Sequence, residues 1–353
     1  MSLWRSLYRG ETEFDFMKPR RRYFIISAAV IGISLLSLLV RGLDGSVDFT
    51  GGTIVAASNS SGADVGEYRS ELSSIGLEGA RVQIRTERDE SETVVVQTEA
   101  LAVEDRDELV VTVAAVAVVD PNDTNIESVG PTFGSEITRR AIEALVIFLI
   151  VVALFITWRF EWKMAATALA ALFHDLIITA GIYSLIGFEV TPATVIAILT
   201  ILGYSLYDTV VVFDKITENV HELGSRHTFT EIANLSMNQV LMRSLNTSAT
   251  SLLPIGSLLL VGSYLLGAAT LREFALALFI GIAAGTYSSI FVATPLLTEW
   301  KEREPEWQRM QRRVERRSGV TTVAVAESSA ATATEVRSTG AEPRAPKQRR
   351  KRR

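Results

Sequence analysis

Six stretches of about twenty apolar residues dominate this sequence: 23–40, 141–158, 164–187, 190–213, 244–262 and 271–297. The hydrocarbon core of a bilayer is roughly 30 Å thick, so a helix of about 20 apolar residues crosses it. Every run meets that length, and the chain reads as an α-helical membrane protein of six spans. The first run follows the basic cluster Lys18, Arg20, Arg21 and Arg22, as a signal peptide would. No small-residue cleavage site follows it, and residues 44–53 lead straight into a strand-like pattern, so it is read as an uncleaved span.

Composition matters here because of where the charge lies. Of 353 residues, 48% are hydrophobic and 21% charged, with a mean hydropathy of +0.25. Residues 41–138 hold 6 basic and 19 acidic groups, net −13, whereas residues 301–353 hold 15 and 7, net +8. A uniform globule, a wholly disordered chain and a simple nucleic-acid-binding domain are all excluded by that segregation. Cysteine is absent, which removes disulfides, Cys-based zinc sites and thiol nucleophiles; three histidines make a His-rich metal centre a poor fit. No nucleotide-binding loop or other cofactor motif is present, so no cofactor or metal is expected.

The links orient the spans. Arg159 and Lys163 lie between the second and third, and Lys215, Arg226 and Arg243 lie between the fourth and fifth. The links after the third and fifth spans carry no base. Basic residues mark the cytoplasmic side, so both termini are expected inside and the acidic loop outside. The resulting division is a cytoplasmic N-terminus (1–22), a first span (23–40), an extracytoplasmic domain (41–138), a five-helix block (139–300) and a basic cytoplasmic tail (301–353). Gly281 and Gly285 form a G-x-x-x-G pair that permits close helix approach, either within the bundle or in a dimer.

In the acidic loop, residues 47–56 alternate and are rich in Val, Ile and Thr, the pattern of a strand. Residues 62–75 read as a short helix closed by Gly76, residues 80–86 and 93–98 as a hairpin, residues 104–119 as a helix and residues 125–130 as a last strand. The order βαββαβ predicts a ferredoxin-like α+β domain. Its acidity, and the preference for Arg (29) over Lys (6), suit a salt-loving organism; a basic partner is the rival reading.

Ionisable groups inside a span are costly and usually functional. Asp175, preceded by His174, lies in the third span, and Asp208 in the fourth. If Met164 and Phe213 mark the same membrane edge, the helical rise puts the acids roughly 16 and 8 Å deep, so they need not touch. Ser205 and Tyr204 are one turn from Asp208, and Thr179 is one turn from Asp175, so the components of a proton or sodium path are present. Arg243 opens the fifth span, with Asn246, Thr247 and Thr250 on the same stripe; it is either an ordinary basic flank or a partner of Asp208 in one state.

Several segments together resemble one known family. Asp48-Phe49-Thr50-Gly51-Gly52-Thr53 resembles the entry motif of the SecD/SecF protein-export proteins, and residues 129–136 resemble their second signature. Residues 174–179 are similar to the SecF-type third span and residues 203–219 to its fourth; residues 243–248 and 285–290 resemble the fifth- and sixth-span motifs. The resemblance implies a six-span bundle of the RND superfamily and an accessory role in the Sec translocon. Its implied partners are SecD, a SecYE-type channel, unfolded exported polypeptides and the lipid bilayer, with energy from the proton motive force. It places Asp208 and Arg243 where the bacterial family couples proton movement. Phe213 and Tyr207 depart from the usual serine and asparagine, which suits an archaeal member.

Two other classes compete. An intramembrane aspartyl protease would use the two acids to activate water, but no Gly-x-Gly-Asp segment is present. A small-molecule or lipid exporter would use a twelve-span chain, of which this is half the number. The tail from about residue 318 is Ala/Thr/Ser/Glu-rich and expected to be disordered. Its end, Lys347 to Arg353, is read either as a contact for anionic lipid or ribosomal RNA or as a simple topogenic signal.

Overall fold

A computed structural model describes residues 14–86, 91–264 and 269–316. The tip of the predicted hairpin and the tail from residue 317 onward lie outside the described residues. Among the described residues, six helices are long and apolar enough to cross a membrane.

The first span, α1 (Arg20–Val40, 21 residues), has no acidic residue in its first turn. Its basic start opposes the helix dipole, so the membrane rather than the dipole sets that pattern. The buried residues of α1 are serines, Ser27, Ser34 and Ser37. Apolar side chains gain nothing by leaving lipid for protein, so small polar residues face inward instead.

After α1 the chain makes a two-residue strand β1 (Asp44–Gly45), which pairs in parallel with β6 (Glu189–Val190). The predicted strand over 47–56 then divides. Val47–Thr50 form a helical turn, α2, and strand β2 begins at Gly52 and runs to Ser58. Gly51 and Gly52 have φ of 73° and 151°, values other residues rarely adopt. A Cβ on Gly51 would stand 2.7 Å from the Pro131 Cα, and one on Gly52 2.5 Å from the Thr98 carbonyl. Asp48 and Phe49 thus sit in a tight corner where the α+β domain, called exterior from the sequence, meets the start of the second span. Alternation could not reveal that corner, because a backbone approach creates it.

The exterior domain continues with α3 (Val65–Ser74), β3 (Arg81–Thr86), β4 (Glu92–Thr98), α4 (Val103–Ala117) and β5 (Asn125–Val129). The sheet is antiparallel in the order β3-β4-β2-β5. Asp64 caps α3 by accepting the Glu67 N–H at 2.9 Å. Tyr68, Leu72, Leu109 and Val113 pack with Val55, Val94 and Val96 into one apolar core. The Tyr68 hydroxyl donates to Asn59 Oδ1 at 2.8 Å, and burial raises its pKa above the usual tyrosine value.

The membrane block comprises α5 (Pro131–Arg159), α6 (Trp162–Ile186), α7 (Pro192–Leu223), α8 (Phe229–Tyr264) and α9 (Ala269–Ser288). The last span continues through a π-helical segment, Ser289–Ala293, into α10 (Thr294–Lys301). Helices α5, α7 and α8 outrun their apolar stretches. The additions are amphipathic rather than apolar: Phe229, Ile232, Ala233, Ser236, Met237 and Val240 form the buried stripe of α8. A hydropathy window sees only the lipid-facing part of such a helix.

Gly281 and Gly285 pack inside the bundle. A Cβ on Gly281 would come within 2.2 Å of Ile201, and one on Gly285 within 2.9 Å of Ser205. At the end remote from the exterior domain, Phe16 and Met17 are buried. Asn238 accepts the Phe14 N–H at 2.9 Å and donates to the Phe14 carbonyl at 2.8 Å, while Asn234 accepts the Phe16 N–H at 2.7 Å. Ion pairs brace the same end: Arg20 with Glu302 at 2.8 Å, Lys163 with Glu304 at 2.8 Å, and Lys301 with Glu161.

Candidate functional site

Asp175 on α6 is fully buried, with His174 beside it at 3% exposure. One carboxylate oxygen, Oδ1, lies 3.0 Å from His174 Nδ1. The other, Oδ2, accepts from Ser205 at 2.5 Å and from Ser288 at 2.8 Å. Asp208 on α7 is also buried. Its Oδ1 accepts from Ser244 at 2.6 Å and its Oδ2 from Ser289 at 2.5 Å. Four helices therefore contribute to one layer of acids and hydroxyls. The serines satisfy carboxylate lone pairs without supplying a counter-charge.

The acids are closer in depth than the sequence estimate. That estimate took Met164 and Phe213 as level. In the structure Met164 Sδ accepts from Thr217, one turn beyond Phe213. Counting Asp208 from Thr217 leaves a difference of about 3 Å on the helical rise. Ser205, one turn from Asp208 on α7, is the bridge to Asp175. The carboxylates are bonded to separate hydroxyls, not to each other, which departs from the shared-proton geometry of an aspartyl protease.

Arg243 is turned elsewhere. Its guanidinium donates to the Tyr207 hydroxyl at 2.8 Å and lies 5.8 Å from that ring's centre. Thr247 and Thr250 donate to carbonyls of their own helix, at 2.9 Å to Arg243 and 2.9 Å to Asn246. The hydroxyls of the polar stripe opening the fifth span thus donate to their own helix and not to Asp208; Ser244, the residue after Arg243, donates to it. Asp48, Phe49, Gly51, Gly52 and Thr53 lie at the domain corner, far along the chain from the acids. There Thr53 shares a 3.1 Å hydroxyl contact with Ser128.

Sequence reasoning assigned no role to Ser244, Ser288 or Ser289. The available signal was an adjacent pair of serines inside an apolar run. A cavity of about 20 Å³ adjoins Asp208, lined by Tyr204, Thr247, Ser248, Ser251 and Thr286 among others. That is room for about one water. Tyr287 stacks on His174 with centroids 6.1 Å apart, and its hydroxyl lies 3.3 Å from Ser27 on α1.

A bundle of six long apolar helices, an α+β domain inserted after the first, and two carboxylic acids caged in its core define a multi-pass membrane protein with an ionisable centre. Residues 110–303 match the family model described as protein export membrane protein SecD/SecF, C-terminal. The protein translocase subunit SecF of Streptomyces coelicolor is 39% identical over 315 residues, covering 89% of this chain and 83% of that one. SecF of Mycobacterium tuberculosis H37Rv is 44% identical over 333 residues, covering 88% and 72%. The crystal structure of SecDF, a translocon-associated membrane protein from Thermus thermophilus, superposes with a TM-score of 0.73 at 34% identity. The chain is 86% covered by that match and spans 40% of the longer SecDF protein. SecDF in its super-membrane-facing form gives 0.59. The chain belongs to the SecF family.

Proposed function

We propose that this protein is an accessory, non-enzymatic subunit of the Sec translocation machinery. In this reading it acts with a SecD-type partner and a SecYE-type channel to promote export of unfolded polypeptides, driven by the proton motive force. The observation that carries the reading is Asp208: an acid buried at membrane depth between hydroxyls of two other helices, beside a cavity sized for one water. A cavity of that volume admits a proton carrier and no drug-sized solute, which favours ion coupling over small-molecule export. Protonation of Asp208 would alter what α7 offers α8 and the last span, and so bias the bundle between arrangements.

The SecD-type partner has separate support. Tyr204 and Tyr207 are 45% and 49% exposed, and Arg243 and Asn246 are exposed beside them. Lipid cannot satisfy a guanidinium and an amide at that depth, so a second, RND-type half with complementary polar groups is the fitting cover. Both termini are assigned to the cytoplasm, with the exterior domain taken as ferredoxin-like and outside. Its open β5 edge is suited to holding an extended polypeptide by strand addition. Contacts of the basic tail with anionic lipid or ribosome belong to the same proposal; an archaeal or salt-adapted source is not needed for it.

The test is Asp208→Asn in vesicles carrying the translocon and the SecD partner. Loss of the proton-dependent part of export, with basal export retained, is expected. Unchanged proton dependence would remove the coupling claim.

A further inference from the structure

The last span changes its winding where it meets the two acids. Ser288 ends α9 and Ser289 opens the π-helical segment. Such insertions are rare and often occur at functional sites. Here two consecutive residues reach different targets, Ser288 the carboxylate of Asp175 and Ser289 that of Asp208. The segment is held below by Thr294, whose hydroxyl donates to the Ser289 carbonyl at 3.1 Å.

Each serine has a second acceptor within reach. The Ser288 hydroxyl is 3.1 Å from the Gly285 carbonyl, and the Ser289 hydroxyl 3.2 Å from the Thr286 carbonyl. A hydroxyl carries one proton, so it serves the carboxylate or its own helix, not both at full strength. Facing an ionised acid, the serine donates to it. Facing a protonated acid, it accepts the acid's proton in a hydrogen bond and turns its own proton to the backbone. The pair therefore has an acceptor for its protons in both charge states of either acid.

We infer that Ser288 and Ser289 are positioning residues that tie the charge state of Asp208 to that of Asp175 through the π-helical segment. The two hydroxyls share one backbone, so a change in what Ser289 holds shifts the footing of Ser288. The other titratable or charged groups of this layer are His174 on α6, Tyr204 and Tyr207 on α7, Arg243 on α8 and Tyr287 on α9; Arg243 is engaged with Tyr207. The inference rests on the reading that Asp208 exchanges protons, and refines it.

The experiment is an infrared titration of the purified full chain in lipid. The carboxylic C=O band missing in Asp208→Asn identifies Asp208, and the band missing in Asp175→Asn identifies Asp175. Ser289→Ala removes a donor from ionised Asp208 and is expected to raise its proton affinity about tenfold. The deciding variant is Ser288→Ala, which removes a donor from Asp175 and none from Asp208. It is expected to move the Asp208 midpoint by at least about threefold in proton affinity, with Ser288→Thr restoring the wild-type position. An Asp208 midpoint unmoved by Ser288→Ala, in protein whose thermal transition matches wild type, overturns the inference. Should Ser288→Ala unfold, Ser288→Thr with an altered Asp208 midpoint would overturn it equally, because the hydroxyl is kept. Failure of the underlying reading is seen separately, as unchanged export in Asp208→Asn.

Discussion

Replacing Gly181 by alanine tests how the first span is held. A Cβ at that position would stand 2.2 Å from Ser34 Cβ and 2.6 Å from Ser34 Cα. Ordinary carbon contacts lie at about 3.5–4.0 Å, so α1 must retreat by roughly 1.3 Å or more. No rotamer relieves this, because a backbone atom is part of the clash. The hydrogen bond between Ser37 and Ser184, 2.9 Å long and three residues further along both helices, would stretch past about 3.5 Å and be lost. Overpacking costs about 1–3 kcal/mol, and a hydroxyl bond between membrane helices about 0.6 kcal/mol. The sum is about 2–4 kcal/mol of destabilisation, read by tryptophan fluorescence during unfolding in mixed micelles. Ser34→Gly should recover only part of it in the double variant, since contacting residues couple but the 2.6 Å contact with the Ser34 Cα remains. Gly281→Ala should cost less, because it meets the Ile201 side chain and not a backbone. A Gly181→Ala protein as stable as wild type, or one in which Ser34→Gly recovers none of the loss, would refute the packing argument.

Two further outcomes follow from the end remote from the exterior domain. Asn238→Ala leaves the Phe14 N–H and carbonyl without their side-chain partner, a penalty of about 1–3 kcal/mol; protease cleavage at Arg20 to Arg22 should become several-fold faster. Glu304 is subject to burial, which raises its pKa, but the ammonium groups of Lys163 and Lys301 outweigh it and hold the carboxyl below its ordinary 4.5. A depressed folded pKa stabilises above the unfolded value and loses that stabilisation as pH falls through the folded one. Stability should therefore decline below about pH 4.5, and Glu304→Gln should flatten that acid limb in a melting-temperature series.

Much of the architecture was legible because bilayer thickness converts directly into run length. Six apolar stretches correspond to six long helices, and the helices at 65–74 and 103–117 fall within about three residues of the ranges read from the sequence. The acids Asp175 and Asp208 stood out because charge is rare in such runs. What was hidden depends on helix against helix. The corner at Gly51 and Gly52 arises from contacts with Pro131 and Thr98, far away in sequence. The cage around the acids is assembled from serines on three helices, each unremarkable in its own segment. Arg243 sits one residue from Ser244, yet the helix turns one outward to Tyr207 and the other inward to Asp208. Spacing alone cannot tell which, and the π-helical turn shifts the phase of everything after Ser288.

The asparagines that grip Phe14 and Phe16 sit 224 and 218 residues downstream of them. A ribosome making this chain at about 5–20 residues per second leaves that seat empty for roughly 10–45 s after residue 16 emerges. The opening stretch of the polypeptide must wait, loosely tethered, until the fifth span has been made. Assembly at that end of the bundle is therefore completed late, and anything that traps the opening residues during synthesis will delay closure more than it harms the finished molecule.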